Sequence, residues 1–177
     1  MKKYFRLLTF RPRNYIITPE AKQPMEAIDY KIPKIEVKVE IAIDNGTGFE
    51  LDEYAVYLNK FSRYRKGEET IFEFLNRRNE FIPIHHIKSD RFSLVNIDRV
   101  AYIREKEKFP AHYEMKIDIQ LKYNKHIEVD HINPLPGSQS RVQDYINQDP
   151  PFLLFYKNEQ KIFINKSVII KISEQIV

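Results

Sequence analysis

The sequence predicts a mainly β protein with short helices, and three observations lead to this prediction. Apolar and polar residues alternate over residues 35–43, and a period of two is typical of a strand with one buried face. A similar alternation recurs over residues 115–121. Each alternating stretch is followed by a turn signal, a short helical pattern and three short apolar runs. Together they indicate one β-rich unit that occurs twice in the chain.

Several short segments return in the same order, which indicates an internal duplication. The three pairs are residues 36–41 with 114–119, 71–76 with 142–147, and 94–96 with 163–165. We interpret features that both copies share as architecture. Features that only one copy carries are the candidates for function.

In the first copy, the strand over residues 35–43 leads into Asn45-Gly46, a pair that favours a tight hairpin turn. A second strand is predicted within residues 49–61. Thr70 and Glu73 have the spacing of a capping box, so a short helix begins there. It is expected to end at Asn76, since Asn tolerates the left-handed conformation common at helix ends.

Three strands follow this helix, at residues 81–84, 91–95 and 100–103. The last two are separated only by residues 96–98, which leaves room for a tight turn or one 3₁₀ turn. The same series is predicted for the second copy. It begins with a strand over 115–121, a turn at Asn124-Lys125 and a strand over 127–129. A helix capped by Ser140 and ending at Asn147 follows, and then strands at 152–155, 160–164 and 169–172. Each copy therefore has the order β-β-α-β-β-β.

Five strands that curl into a small barrel bury their apolar faces and leave few edges exposed. We therefore expect two tandem SH3-like or Sm-like five-stranded modules, over residues 34–105 and 114–177. Residues 1–33 form an amino-terminal arm and linker, and residues 106–113 link the modules. The sequence leaves open whether the copies form separate barrels or share one sheet.

The second copy contains Leu135 to Asn147, then Phe152-Leu153-Leu154, then Phe163 to Lys166. This series resembles small bacterial domains with the pattern Leu-Ser-Asp-Tyr-Leu-Asn, then Phe-Leu-Pro-Leu, then Val-Asn-Arg. The first copy keeps residues 74–76, 81–84 and 94–96 of the pattern. The resemblance implies a bacterial origin and a modular build, and it transfers no catalytic residue.

Composition narrows the class of protein. The 177 residues carry a net charge of +4 and include no Cys, so the chain has neither disulfides nor a thiolate metal site. No apolar run approaches the roughly 18 residues that a membrane helix needs, and no signal-peptide pattern is present. We expect a cytoplasmic protein without membrane insertion. The arm over residues 1–33 is basic and rich in apolar residues, and we expect it to dock on a module or to mediate self-association.

No motif typical of a catalytic site is recognisable in the sequence. Only four Gly occur, too few for a phosphate-cradling loop, and no nucleophile lies beside a recognisable base. We therefore predict a protein that is not an enzyme and uses no cofactor or metal. The repeated residues Asn76, Asn147, Asn96 and Asn165 could bind a base or a peptide, but we interpret them as turn and helix-end residues.

The candidate binding surface is basic and aromatic and occurs only in the first copy: Arg63, Tyr64, Arg65 and Lys66 before the helix, Arg77 and Arg78 after it, and the adjacent pair His85-His86. Because the helix is short, the two basic groups should lie within about 15 Å of each other. If His85 and His86 lie on a strand, they point to opposite faces and do not share a metal. The interpretation without a function is a solvated loop, whose positive charge is neutralised by Glu68 and Glu69.

Arg and Tyr are enriched at protein interfaces, and they also suit phosphate contact and base stacking. We therefore predict a non-catalytic tandem β-module protein that acts as a protein-interaction scaffold or adaptor. The alternative is a nucleic-acid-binding small-barrel protein that uses the same basic and aromatic surface.

Overall fold

The computed structural model describes residues 33–77, 79–110, 115–131 and 142–175. In this part of the chain, ten strands and two short helices confirm the mainly β class. The elements are β1 (Lys34–Asp44), β2 (Phe49–Asn59), α1 (Ile71–Leu75), β3 (Phe81–His86), β4 (Arg91–Asn96), β5 (Val100–Lys108), β6 (Met115–Leu121), β7 (Lys125–His131), α2 (Val142–Ile146), β8 (Phe152–Lys157), β9 (Gln160–Asn165) and β10 (Ile169–Gln175).

All ten strands belong to one antiparallel sheet with the order β10-β6-β7-β8-β9-β5-β1-β2-β3-β4. The outermost strands, β10 and β4, do not pair with each other, so the sheet is open. The expected five-stranded modules are therefore not two separate sheets. They are joined where β5 pairs with β9, with Tyr102 opposite Ile164 and Ile103 opposite Phe163. β5 also continues to Lys108, into the range predicted as a linker.

The two halves of the sheet have the same strand order. The first half, β1–β5 with α1, reads β5-β1-β2-β3-β4, and the second half, β6–β10 with α2, reads β10-β6-β7-β8-β9. The pairing registers also agree, since Phe81 lies opposite Asn96 on β3 and β4, and Phe152 lies opposite Asn165 on β8 and β9. Residues of one half can therefore be compared with residues of the other by position.

Each half has its own apolar core, and strands at the junction contribute to both. On β9, Ile162 and Ile164 pack in the second-half core, whereas Phe163 between them packs in the first-half core. On β5, Tyr102 packs in the second-half core and Ile103 packs in the first-half core. Because neighbouring residues of a strand point to opposite faces, the two cores lie on opposite faces of the sheet here. Both junction strands are buried on two sides, which explains their nearly continuous apolar runs.

The predicted capping box is confirmed: Glu73 N–H donates to Thr70 Oγ1 at 3.2 Å, and Thr70 N–H donates to Glu73 Oε2 at 2.8 Å. Of the two predicted alternatives, a tight turn or one 3₁₀ turn, the structure has the 3₁₀ turn, at residues 97–99, where Asn96 accepts from the Asp98 N–H. Asn76 ends α1 as predicted, but its φ of −91° is not left-handed. Its side chain instead donates to the Phe72 carbonyl, which also accepts from the Asn76 backbone N–H.

Some predictions lie outside the described residues, namely the arm over residues 1–32, Arg78 and the helix cap at Ser140. Within the described residues, no helix is long and apolar enough to cross a membrane. Within the same ranges, no three His, Asp or Glu side chains are grouped so that they could hold a metal ion.

Candidate interaction surface

The four predicted residues before the helix, Arg63 to Lys66, lie in the loop between β2 and α1, and we call them the basic segment. Ser62 organises this loop, because its Oγ accepts from the Tyr64 N–H at 3.0 Å and donates to Glu73 at 2.9 Å. Arg63 and Tyr64 line one cavity of about 390 Å³ together with Arg77 from the far side of α1. The structure thus brings these three predicted residues together.

Part of this positive charge is neutralised within the chain. Arg77 pairs with the buried carboxylate of Glu69 and lies over the ring of Phe74, 5.4 Å from its centroid. Burial, together with the positive charge of Arg63, lowers the pKa of Arg77. Arg65 lies 3.4 Å from Glu73. Two exposed cations, Arg63 and Lys66, have no acidic partner in the described part of the chain.

His85 and His86 lie on opposite faces of β3 and have separate partners. His85 stacks on Phe92 with ring centroids 4.3 Å apart, and its Nε2 lies 2.7 Å from Asp90. His86 Nε2 lies 2.8 Å from Asp52. Lys88 also donates to Asp52, and this bond is the largest cause of the lowered pKa of that carboxyl. Neither histidine has a hydrogen bond or ion pair to the basic segment among the described residues.

A second surface was missed by the sequence interpretation. Phe81, Phe92 and Leu94 are 51%, 69% and 71% exposed, and we call these three residues the apolar strip. Phe81 alternates with the buried Ile82 and Ile84 along β3. Phe92 and Leu94 on β4 lie opposite residues of β3 that alternate with Ile82 and Ile84 in the same way. The three side chains therefore share the face of β3 and β4 that is opposite the first-half core. β4 is also an outermost strand, so one of its edges has no partner strand in the described sheet.

One signal in the sequence could have revealed the apolar strip. Residues 81–84 are apolar without interruption, and such a run is typical of a strand that is covered on both faces. The first-half core covers only one face, through Ile82 and Ile84. Three large apolar side chains grouped on the other face are unusual for a surface without a partner.

A groove lies at the opposite end of the sheet, between α2 and β10. Its volume is about 300 Å³. We call it the end groove, and its lining consists of Val142, Gln143, Ile146, Asn147, Ile172 and Glu174. β10 is the other outermost strand of the sheet, so each end of the sheet combines a strand edge with apolar side chains.

Comparison with known proteins adds no assignment. No family model matches the chain, no curated protein matches it, and no solved structure matches it. The resemblance to small bacterial domains therefore stays a prediction from the sequence. The candidate functional features of the described chain are thus the basic segment, the apolar strip and the end groove.

Proposed function

We propose that the chain is a non-catalytic protein-interaction scaffold built from tandem β modules, and that it binds protein partners through the apolar strip and the free edge of β4. The observation that carries this proposal is the exposure of Phe81, Phe92 and Leu94 beside an outermost strand. A strand edge offers backbone hydrogen bonds to a partner, and adjacent apolar side chains supply buried area. Both suit a protein partner.

The interpretation of the two halves as SH3-like or Sm-like modules from one duplication belongs to this proposal. The shared strand order and the shared registers support it. A scaffold of repeated units can present the same kind of surface more than once. Here one such surface is used inside the chain, at β8 and β9, and the corresponding surface at β3 and β4 is open to a partner.

A capture experiment tests the proposal. Tagged full-length protein is incubated with an extract of the organism that encodes it, in the wild-type form and as Leu94→Lys. Leu51→Lys is the matched control, since Leu51 is 49% exposed on β2 and outside the apolar strip. We expect wild type and Leu51→Lys to retain the same proteins and Leu94→Lys to lose them. Equal retention by all three would contradict the proposal.

A second candidate function is nucleic-acid binding through the basic segment. The shared cavity of Arg63, Tyr64 and Arg77 favours it, as do the charges of Arg63 and Lys66, which have no acidic partner among the described residues. Binding to labelled single-stranded RNA, measured by fluorescence anisotropy, should weaken steeply with salt because phosphate contacts release counterions. The double variant Arg63→Ala/Lys66→Ala should flatten this salt dependence. The variant Lys38→Ala/Lys125→Ala loses the same charge elsewhere and should not, and the absence of any binding at low salt would eliminate this function.

A further inference from the structure

We propose that the protein partner of the apolar strip is a second copy of the same chain, and that the strip docks into the end groove of that copy. This inference rests on the proposed protein-binding function and names the partner. It follows from an interface that the chain already contains. Inside one molecule, β8 and β9 dock against β5 and α1, and the two free ends of the sheet repeat the two sides of that contact.

The internal interface buries two aromatic side chains. Phe152 on β8 and Phe163 on β9 are only 1% and 2% exposed, and both pack in the first-half core rather than in their own. Phe163 lies opposite Ile103 of β5, and its ring centroid is 6.4 Å from that of Phe72 on α1. Apolar burial therefore holds the two halves together.

Hydrogen bonds from two asparagines fix the same interface. The Asn76 amide at the end of α1 accepts from the Phe152 N–H at 3.0 Å and donates to the Phe152 carbonyl at 3.4 Å. Asn165 at the end of β9 donates from Nδ2 to the Val100 carbonyl at 3.1 Å. All three bonds cross between the halves, so Asn76 and Asn165 are interface residues as well as turn residues.

The apolar strip repeats one side of this interface. Phe81 lies opposite Asn96 as Phe152 lies opposite Asn165, and Leu94 holds the position of Phe163 in the same register. The equivalent side chains are thus buried at the internal interface and exposed at the end of the sheet. The counterpart of Asn165 is also free to donate, because Asn96 uses its Oδ1 for the Asp98 N–H while its Nδ2 has no partner among the described residues.

The end groove repeats the other side. Register and sequence place Val142, Ile146, Asn147 and Ile172 at the positions of Ile71, Leu75, Asn76 and Ile103. Leu75 and Ile103 are fully buried in the core that includes Phe152 and Phe163, whereas Ile146 and Ile172 are only partly buried. The exposed side-chain amide of Asn147 has no hydrogen-bond partner within the described part of the chain, whereas the side-chain amide of the equivalent Asn76 binds the Phe152 backbone.

The predicted contact follows from these equivalences. Ile172 of one copy lies opposite Leu94 of the next, Phe81 enters the end groove, and the Asn147 amide binds the Phe81 backbone. The Nδ2 of Asn96 then donates to the Ile169 carbonyl. Because the two docking surfaces differ, the contact is head to tail, and repetition gives a closed ring or an open chain of copies.

Sedimentation velocity on purified full-length protein tests this inference. Leu94→Lys disables the strip, and Gln143→Lys/Asn147→Ala disables the groove; these side chains are all exposed, so folding should be preserved. We expect wild type and the Leu51→Lys control to assemble and each strip or groove variant to be a monomer. A one-to-one mixture of the two variants should form a dimer and nothing larger, because it restores one intact strip and one intact groove.

Other outcomes overturn the inference. A monomeric wild type over a wide dilution series excludes self-association. Assembly that survives either variant places the contact elsewhere, for example at the arm. Monomeric variants whose mixture does not dimerise exclude a head-to-tail contact. If pure protein is monomeric while capture from the extract still depends on Leu94, the second-copy inference is wrong and the scaffold function stands.

Discussion

The side chain of Asn76 clamps the backbone of Phe152, a residue 76 positions further along the chain. Its Oδ1 accepts from the Phe152 N–H at 3.0 Å, and its Nδ2 donates to the Phe152 carbonyl. Nδ2 also donates to the Phe72 carbonyl at 3.0 Å. One amide therefore ends α1 and ties it to β8, which belongs to the other half of the sheet.

Asn76→Ala should lower the free energy of unfolding by about 1–3 kcal/mol, because it leaves the Phe152 backbone amide without a partner at a buried position. Urea unfolding followed by circular dichroism measures the change. The matched control is Asn147→Ala at the corresponding exposed position, where we expect a change within about 0.5 kcal/mol for the monomer. Equal losses from both variants would show that the hydrogen bonds to Phe152 add nothing to the stability.

Asn165 and Asn96 form a second matched pair. Both accept from the N–H that begins a 3₁₀ turn, at 3.0 Å and 2.8 Å, but only Asn165 also donates across the halves to the Val100 carbonyl. In the monomer, Asn165→Ala should therefore cost about 1 kcal/mol more than Asn96→Ala, the value of one buried hydrogen bond. Thermal unfolding of the two variants checks this difference. No difference would mean that the turn alone accounts for both residues.

Local elements could be predicted from the sequence because local chemistry determines them. The capping box of Thr70 and Glu73, the alternation in β1 and the 3₁₀ turn at Asn96 each depend on a few neighbouring residues. The pairing of β5 with β9 could not be predicted in this way. It joins residues about sixty positions apart, such as Ile103 and Phe163, and nothing near either residue specifies its partner.

The candidate site also contains one feature that could be predicted from the sequence and one that could not. The basic segment was visible because Arg63 and Lys66 belong to a residue class that the second half lacks at the corresponding positions. The apolar strip was hidden because Leu94 and its counterpart Phe163 are both large and apolar, and only their burial differs. Comparison of the two halves by residue type therefore assigned both residues to the shared architecture. Comparison by exposure separates them.

The carboxyl of Glu105 gives the interface between the halves a pH dependence. Burial raises its pKa above the ordinary value of 4.5, and the Lys161 ammonium on β9, 3.5 Å away, only partly offsets this. The folded chain therefore binds a proton more readily than the unfolded chain does. It follows that the free energy of unfolding falls as pH rises from the ordinary pKa through the raised one.

Glu105→Gln removes this titration, since a neutral amide resembles the protonated acid. We expect the variant and wild type to have similar stability below pH of about 4, where the carboxyl is protonated in both states. The variant should gain stability relative to wild type as pH rises to neutral. Urea unfolding over a pH series measures the difference. A constant difference would show that the Lys161 ion pair balances the burial of the charge, and a relative gain for wild type at neutral pH would show that the ion pair outweighs it.

The contact between copies can be strengthened if it repeats the internal interface. Phe72 on α1 and Phe163 on β9 form an aromatic contact inside the chain, and the corresponding positions between copies hold Gln143 and Leu94. Gln143→Phe together with Leu94→Phe recreates the aromatic pair. We expect tighter association than in wild type, because such pairs contribute about 0.5–1.5 kcal/mol beyond the area that they bury.

A double-mutant cycle isolates this pair. The strip-bearing molecule carries Gln143→Lys/Asn147→Ala and either Leu94 or Leu94→Phe. The groove-bearing molecule carries Leu94→Lys and either Gln143 or Gln143→Phe. Dissociation constants for the four mixtures, from sedimentation equilibrium, give the coupling energy between the two positions. A favourable coupling of the expected size requires the two side chains to meet, since an aromatic side chain added to a surface that the partner does not touch contributes independently. Additive effects would therefore remove Leu94 and Gln143 from the same contact.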